Sequence, residues 1–293
     1  MSTQTYSTAD LLLALLGKTN ELQGAIKRNT HLLASQELER LRQDIRQRQP
    51  ANPAGYGWKS YSQNDEDGII RYCLQKLAEN THLEKTFVEI GIGRGYENNS
   101  YQLLLDGFSG CWVDGNSEFI AQVRPHVPTG QRRLLVHETF VTLENIQETI
   151  AVCRSFLRER SVDFFSLDVD GNDYHFLPSC LALLQPKLVC VEYNGKFPPP
   201  TALHMRYNPT YVWDRTDYQG ASLQDMANVM RGYTLVACSV VGINAFFVRD
   251  DLCTGFTPYT IEELYQPARM ELLAIPQGHP PAHSWLRQAL KTR

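Results

Sequence analysis

Phe87-Val88-Glu89-Ile90-Gly91-Ile92-Gly93-Arg94-Gly95-Tyr96-Glu97-Asn98-Asn99-Ser100 is the stretch on which the reading of this chain turns. Phe87 to Ile90 predicts a short buried strand, three glycines follow at alternate positions, and a helix is expected to begin near Glu97–Ser100. Strand, glycine turn and helix together form a nucleotide-binding corner. Glycine reaches backbone conformations closed to other residues and carries no side chain, so the main chain can approach a ligand closely. An acid, Glu89, stands at the strand's end. Such turns also occur with no ligand, so the flanking sequence has to decide.

Downstream the alternation repeats. Strands are expected at Gly110–Asp114, Arg133–Val136, Val162–Asp170 and Lys187–Asn194. Helices are expected at Asn98–Asp106, Glu118–Val127, Leu143–Leu157 and Tyr174–Leu184, with Ile69–Leu77 ahead of the first strand. Near-continuous apolar strands alternating with helices predict an α/β fold around a doubly wound, mostly parallel sheet. Residues 195–222 break the rhythm with Pro198-Pro199-Pro200, Pro209 and several aromatics, and read as a lid or substrate wall. A helix at Ala221–Arg231 precedes two strands, Tyr233–Val241 and Ala245–Arg249, joined through Gly242-Ile243-Asn244. That hairpin makes seven strands, the last antiparallel to its neighbour. The main domain is therefore placed at 58–254, after a Pro- and Gly-rich linker at 50–57 and before a helical tail at 255–293.

The first 49 residues read as a helical arm, with residues 1–8 disordered and Asp10 capping a helix that runs to about Gln49. Leu12, Leu15, Thr19, Leu22, Ile26, Asn29 and Leu33 alternate by three and four, a heptad seam with a polar position at Asn29. Leu38, Leu41 and Ile45 continue it out of phase. The seam predicts a homo-oligomer through a coiled coil at residues 10–49. Two other readings stand beside it: an amphipathic arm packed on its own domain, and a membrane-surface helix carrying Lys27, Arg28, Arg40, Arg42, Arg46 and Arg48.

The 293 residues carry 28 Lys+Arg against 32 Asp+Glu, a net charge of −4 with no global basic field, which argues against nucleic acid as a partner. The longest apolar run, Leu11–Leu16, is too short to span a bilayer. Seven scattered cysteines without a C-x-x-C pair suggest a reducing compartment, hence a cytoplasmic location.

In an open parallel sheet, ligands bind outside the carboxyl ends of the strands. Acids fall there on every predicted parallel strand: Glu89, Asp114, Glu138, Asp168 with Asp170, and Glu192. Asp114, 25 residues after Glu89, suits the ribose hydroxyls of a nucleotide. Such a layout can hold NAD or S-adenosylmethionine. The glycine spacing is G-x-G-x-G, and a carboxylate before it repels a pyrophosphate, which favours a ligand without phosphates. The antiparallel terminal hairpin favours S-adenosylmethionine as well. An NAD-linked oxidoreductase of a nucleotide sugar, and a non-catalytic oligomeric module that keeps the fold, are the rival readings.

On Val88-Glu89-Ile90-Gly91, Trp112-Val113-Asp114-Gly115-Asn116 and Leu167-Asp168-Val169-Asp170-Gly171-Asn172-Asp173-Tyr174, the segment from about Ser62 to Arg249 resembles the FkbM-like class I S-adenosylmethionine-dependent methyltransferases. Val191-Glu192-Tyr193-Asn194, Gly220-Ala221-Ser222-Leu223 and Gly242-Ile243-Asn244-Ala245-Phe246-Phe247-Val248-Arg249 extend the match. The resemblance implies O-methylation of a hydroxyl on a sugar, glycan or natural product. It assigns the cofactor to Glu89, Gly91, Gly93, Gly95, Asn99, Asp114, Asn116, Glu138 and Asp168. Where many members have D-V-E-G, this chain has Asp168-Val169-Asp170-Gly171, an acid shorter by one methylene.

Carboxylates from neighbouring strand ends suit Mg²⁺ or Mn²⁺. Catechol-type and some sugar O-methyltransferases look similar here, with an acid after the fourth strand and an acid–Asn pair after the fifth. Asp168, Glu192 and Asn194 are accordingly candidate metal ligands, with Asp170 as ligand or general base. Alternatively Asp170-Gly171-Asn172-Asp173 is only a helix-capping turn. Among His137, His175 and His204, His204 is the best-placed base, because it lies in the insertion. Tyr193, Phe197, Tyr207, Tyr211, Trp213 and Tyr218 either stack on the acceptor or form the insertion's own core.

Overall fold

The computed structural model describes residues 7–272 and 283–291. Seven strands, β1 (Thr86–Ile90), β2 (Ser109–Asp114), β3 (Leu134–Glu138), β4 (Phe164–Leu167), β5 (Leu188–Glu192), β6 (Tyr233–Cys238) and β7 (Asn244–Arg249), form one sheet in the order β3-β2-β1-β4-β5-β7-β6. The first five run parallel, and β7 lies antiparallel between β5 and β6. This is the expected Rossmann-like α/β sheet with its terminal hairpin. β1 pairs with β2 and β4, so Glu89 lies opposite Trp112 on one side and Ser166 on the other.

The central strands are apolar at nearly every position because both faces are covered. Phe87, Trp112, Phe164, Leu188 and Phe246 enter one core layer. Val88, Cys111, Phe165, Val189 and Phe247 enter the other, as the two-residue repeat of a strand requires. Helices α1 (Thr8–Arg48), α2 (Glu66–Ala78), α3 (Tyr101–Leu105) and α4 (Ser117–Val123) contribute to the first layer. α5 (Ile146–Phe156), α6 (Asp173–Leu184) and α7 (Leu223–Val229) form the second.

Several boundaries differ from the sequence reading where side chains capture the backbone. The helix after the glycine turn begins at Tyr101 instead of Asn98, because residues 98–100 wrap around Glu89. α7 begins at Leu223, with Ser222 Oγ accepting from Asp225 N (3.3 Å) as its cap. α1 starts at Thr8, so Asp10 lies inside the helix and not at its cap. The disordered start expected for residues 1–8 falls largely outside the described residues.

α1 stays continuous through Gly17 and Gly24. Its C-terminal part packs on the domain through Ala34, Leu38, Leu41 and Ile45, while the leucines of its first half remain exposed. The stretch expected as a linker is a 3₁₀ turn, Pro53–Tyr56, whose Pro53, Ala54 and Gly55 are buried. Arg46 Nη1 donates to the Gly55 carbonyl (2.5 Å) and Asn52 caps Ala54 N (3.0 Å). After β7 come the short α8 (Ile261–Leu264) and α9 (His283–Lys291). Tyr265 OH donates to Gly195 O and Tyr193 OH to Gln266 O, both at 2.6 Å. Leu286 and Leu290 of α9 enter the first core layer. Among the described residues no helix is long and apolar enough to cross a membrane.

α9 begins on His283, a buried ring stacked on Tyr96 (4.0 Å) and close to His126 (4.5 Å). Burial, then the neighbouring His126, push its pKa from the ordinary 6.5 down to about 4. The folded chain keeps His283 neutral where the unfolded chain takes up a proton. Its contribution is therefore complete above pH 6.5 and is lost as pH falls towards about 4. The fall in melting temperature across that interval is expected to be shallower in His283→Phe, which keeps the stack and removes the titration; thermal scans against pH measure it.

Candidate functional site

A cavity of about 1140 Å³ opens at the carboxyl ends of β1, β2 and β4. Its floor is the glycine turn after β1. Its sides are Asp114–Phe119 after β2, Thr139–Val141 after β3 and Asp168, Val169, Asp170 and Asn172 after β4, and Tyr211–Trp213 of the insertion add to the lining. Of the residues expected at the cofactor, Glu89, Gly91, Gly93, Asn99, Asp114, Asn116 and Asp168 line this space. Gly95 and Glu138 do not.

The three glycines have three different jobs. Gly91 has φ +90°, and a Cβ there would overlap the carbonyl oxygen of Asp168, so this glycine lets the β1 turn pass the end of β4. Gly93 has φ +54° and open space where a Cβ would be, and its N–H donates to Asp114 Oδ2 (2.8 Å). Gly95 turns the other way: a Cβ would meet Val123 at 2.9 Å and His283 at 3.6 Å. It makes room for α4 and α9, and it is not among the residues that line the cavity.

Asp114 is held by backbone donors, Gly93 N on Oδ2 and Asn116 N on Oδ1 (2.8 Å each). Burial raises its pKa and those N–H groups partly offset the shift. Asn116 also caps α4, its Oδ1 accepting from Glu118 N (3.0 Å) and Phe119 N (3.2 Å). Glu138 instead pairs with Arg124 (3.1 Å) on the surface. Both oxygens of Glu89 are engaged by the loop: Oε1 by Asn99 N (2.7 Å), and Oε2 by Asn98 Nδ2 (3.1 Å), Ser100 N (3.0 Å) and the Ser100 hydroxyl. Asn99 turns its own amide to Ser166 Oγ (3.0 Å).

The turn after β4 is held by the side chain of the first residue of α6, and Asn172 before it makes no side-chain cap. Asp173 accepts from Val169 N (2.9 Å) and Gly171 N (3.0 Å), fixing the turn at the start of α6. Asp170, at φ +58°, is left on the cavity side. Asp168, Asp170 and Glu192 bring carboxylate oxygens within 4.8 Å of one another. Burial, then the charges of Asp173 and Asp170, push Asp168 well above the ordinary carboxylate range. Burial and then Asp168 do the same to Glu192. Burial also raises Asp170, and takes Asp173 to about 6. Glu192 Oε2 is buried without a hydrogen-bond partner.

Two expected residues lie elsewhere. Asn194 spends its side chain on the insertion, Nδ2 donating to Asp217 O (2.9 Å) and Oδ1 accepting from Lys196 N (3.2 Å). His204 stacks on Tyr174 (3.9 Å) and meets Asp225 through Nδ1 (2.6 Å), outside the cavity lining. The insertion reaches the site through other residues. Tyr211 packs where a Cβ on Gly171 would come within 2.5 Å of its ring, and Asn172 Nδ2 donates to Asn208 O (2.8 Å). The lining also includes Gln63, Asn98, Phe119, Phe140 and Asn244, none expected at the site from sequence. Asn244 lies in the quoted Gly242–Arg249 motif and pairs with Glu192 across β5 and β7. No periodicity marks the others.

No protein-family model and no curated protein matches this chain. The reading of the site therefore rests on its chemistry.

Gly91→Ala is expected to cost at least about 3 kcal/mol of stability, since it combines a left-handed backbone with overlap on main-chain atoms of β4. Urea unfolding measures it, and Gly93→Ala, with open space, is expected to lose less.

Proposed function

We propose that the chain is an S-adenosylmethionine-dependent O-methyltransferase assisted by a divalent cation. One observation carries the reading: among the described lining residues of the cavity, Glu89, Glu97, Asp114, Glu118, Asp168 and Asp170 stand against a single basic residue, Arg94. A cavity of that sign repels the pyrophosphate of a dinucleotide and attracts a cation. S-adenosylmethionine is cationic at its sulfonium and carries no phosphate. The sheet order with β7 antiparallel at its end, and the acid at the end of β2, agree with this reading.

When bound, the cofactor supplies an electrophilic methyl group; the protein aligns the acceptor and removes its proton. Asp114, held by Gly93 N and Asn116 N, keeps a lone pair on each oxygen for ribose hydroxyls. Glu89 fixes the loop at 98–100 and thereby the cavity floor. Tyr211 to Trp213, which also line the cavity, would face the acceptor. Asp170, the exposed member of the acid triad, takes the hydroxyl proton or shares in cation binding. A divalent cation fits: the donors are all carboxylate oxygens, and the orphaned Glu192 Oε2 gains a partner. Asp168, Asp170 and Glu192 would hold it, and it would lower the pKa of a hydroxyl beside it.

Calorimetry is expected to give heat with S-adenosylmethionine and none with NAD. Asp114→Ala is expected to weaken that binding about tenfold or more, the loss of a charge-assisted hydrogen bond. Heat with NAD alone would turn the reading to an oxidoreductase, and heat with neither to a non-catalytic module.

Mn²⁺ titration followed by electron paramagnetic resonance is expected to show one site. Glu192→Gln is expected to weaken it at least about tenfold. Unchanged Mn²⁺ affinity in that variant would remove the metal from the account.

A further inference from the structure

Outside the cavity, the largest unexplained feature is the first half of α1. Leu12, Leu15, Leu22, Ile26 and Leu33 are between 56% and 65% exposed with Leu11 exposed beside them, and Leu13, Leu16 and Leu32 are exposed on other sides of the helix. Leu11 and the five seam side chains, which share one side of the helix, present on the order of 600 Å² of surface, about three quarters of one partner's share of a standard protein interface. Monomeric proteins rarely leave a contiguous apolar patch of that size open.

The helix uses two different faces. Ala34, Leu38, Leu41 and Ile45 meet the domain, and the Leu12–Leu33 seam lies about 100° round the axis from them. The domain therefore cannot cover the seam by extending the contact it already makes. The seam keeps a three-four alternation over three heptads, which is the spacing that mates with another helix. Gly17 and Gly24 fall on the side away from it. Gly17 has nothing within 4 Å of a Cβ, and Gly24 meets only the end of Arg28 at 3.3 Å.

The two polar residues of the seam indicate how it is paired. Thr19 Oγ1 already donates to Leu15 O (2.9 Å), which leaves its methyl for packing. Asn29 has an amide able both to donate and to accept, so in a parallel, in-register pair it meets its own copy and the two amides satisfy each other. A bilayer would bury that amide with no partner. Lys18, Lys27 and Arg28 against Asp10 and Glu21 also give the free half too little net positive charge for attachment to an anionic surface.

We infer that the Leu12–Leu33 face of α1 binds the same face of a second copy of this chain, parallel and in register, so that the protein works as a homo-oligomer held by its N-terminal helices. Light scattering of the full chain at micromolar concentration is expected to give a multiple of 33.4 kDa. The double variant Leu22→Glu with Ile26→Glu, both at exposed positions, is expected to give 33.4 kDa with unchanged thermal unfolding of the domain. In a separate measurement Asn29→Cys is expected to form a disulfide-linked dimer on mild oxidation, and Gly24→Cys, on the opposite side, is not. A monomeric wild type overturns the inference. So does a double variant that keeps its oligomeric mass, or equal cross-linking of the two cysteine variants. A monomer that floats with phosphatidylglycerol vesicles overturns it in favour of a membrane surface.

Discussion

The buried carboxylate of Glu89 is the interaction on which the site depends. It sits at the end of the central strand and collects donors from Asn98, Asn99 and Ser100. Ser100 Oγ in turn accepts from Trp112 Nε1 (2.8 Å), the largest fully buried side chain of β2. A buried carboxylate is costly unless it is hydrogen-bonded. Here the cost is offset by donors that would otherwise be orphaned as the chain leaves the glycine turn and enters α3. One side chain thereby fixes the path of the loop, the start of a helix and the floor of the cavity, and ties β1 to β2.

Around that floor the electrostatics run one way. Asp114 is held by backbone N–H groups, and the acids after β4 and β5 crowd one another until burial and like charge raise their pKa values. Such a cluster is unfavourable in an empty protein and becomes favourable when a cation arrives. The arrangement thus favours cationic ligands. Asp168 and Asp170 line the cavity with Asp114, whose charge bears on Asp170, and Glu192 completes the triad from the end of β5.

Much of this was legible in the sequence. Apolar runs located all seven strands, and the acids at their ends marked the edge where the cavity lies. Element boundaries moved where side chains bind main chain, as at Asn98–Ser100 on Glu89 and at Asp173 on the turn before it. A sequence cannot say what a glycine's missing Cβ would have met, so Gly91, Gly93 and Gly95 looked alike and proved different. Asn194 and His204 were misplaced for a related reason. Their position after β5 and in the insertion does not reveal how residues 195–222 fold back, and both side chains are used in holding that fold. The C-terminal part of the helical arm packs on its own domain, as one of its three readings expected, and the seam of its first half is exposed.

The central claim, that this acid-lined edge selects a cationic nucleotide, is tested most directly by a crystal structure with S-adenosylmethionine bound. The account predicts ribose hydroxyls within hydrogen-bonding distance of Asp114, and the sulfonium methyl directed towards Asp168 and Asp170. A dinucleotide pyrophosphate seated on Gly91–Gly95, or S-adenosylmethionine bound away from Asp114, would contradict it.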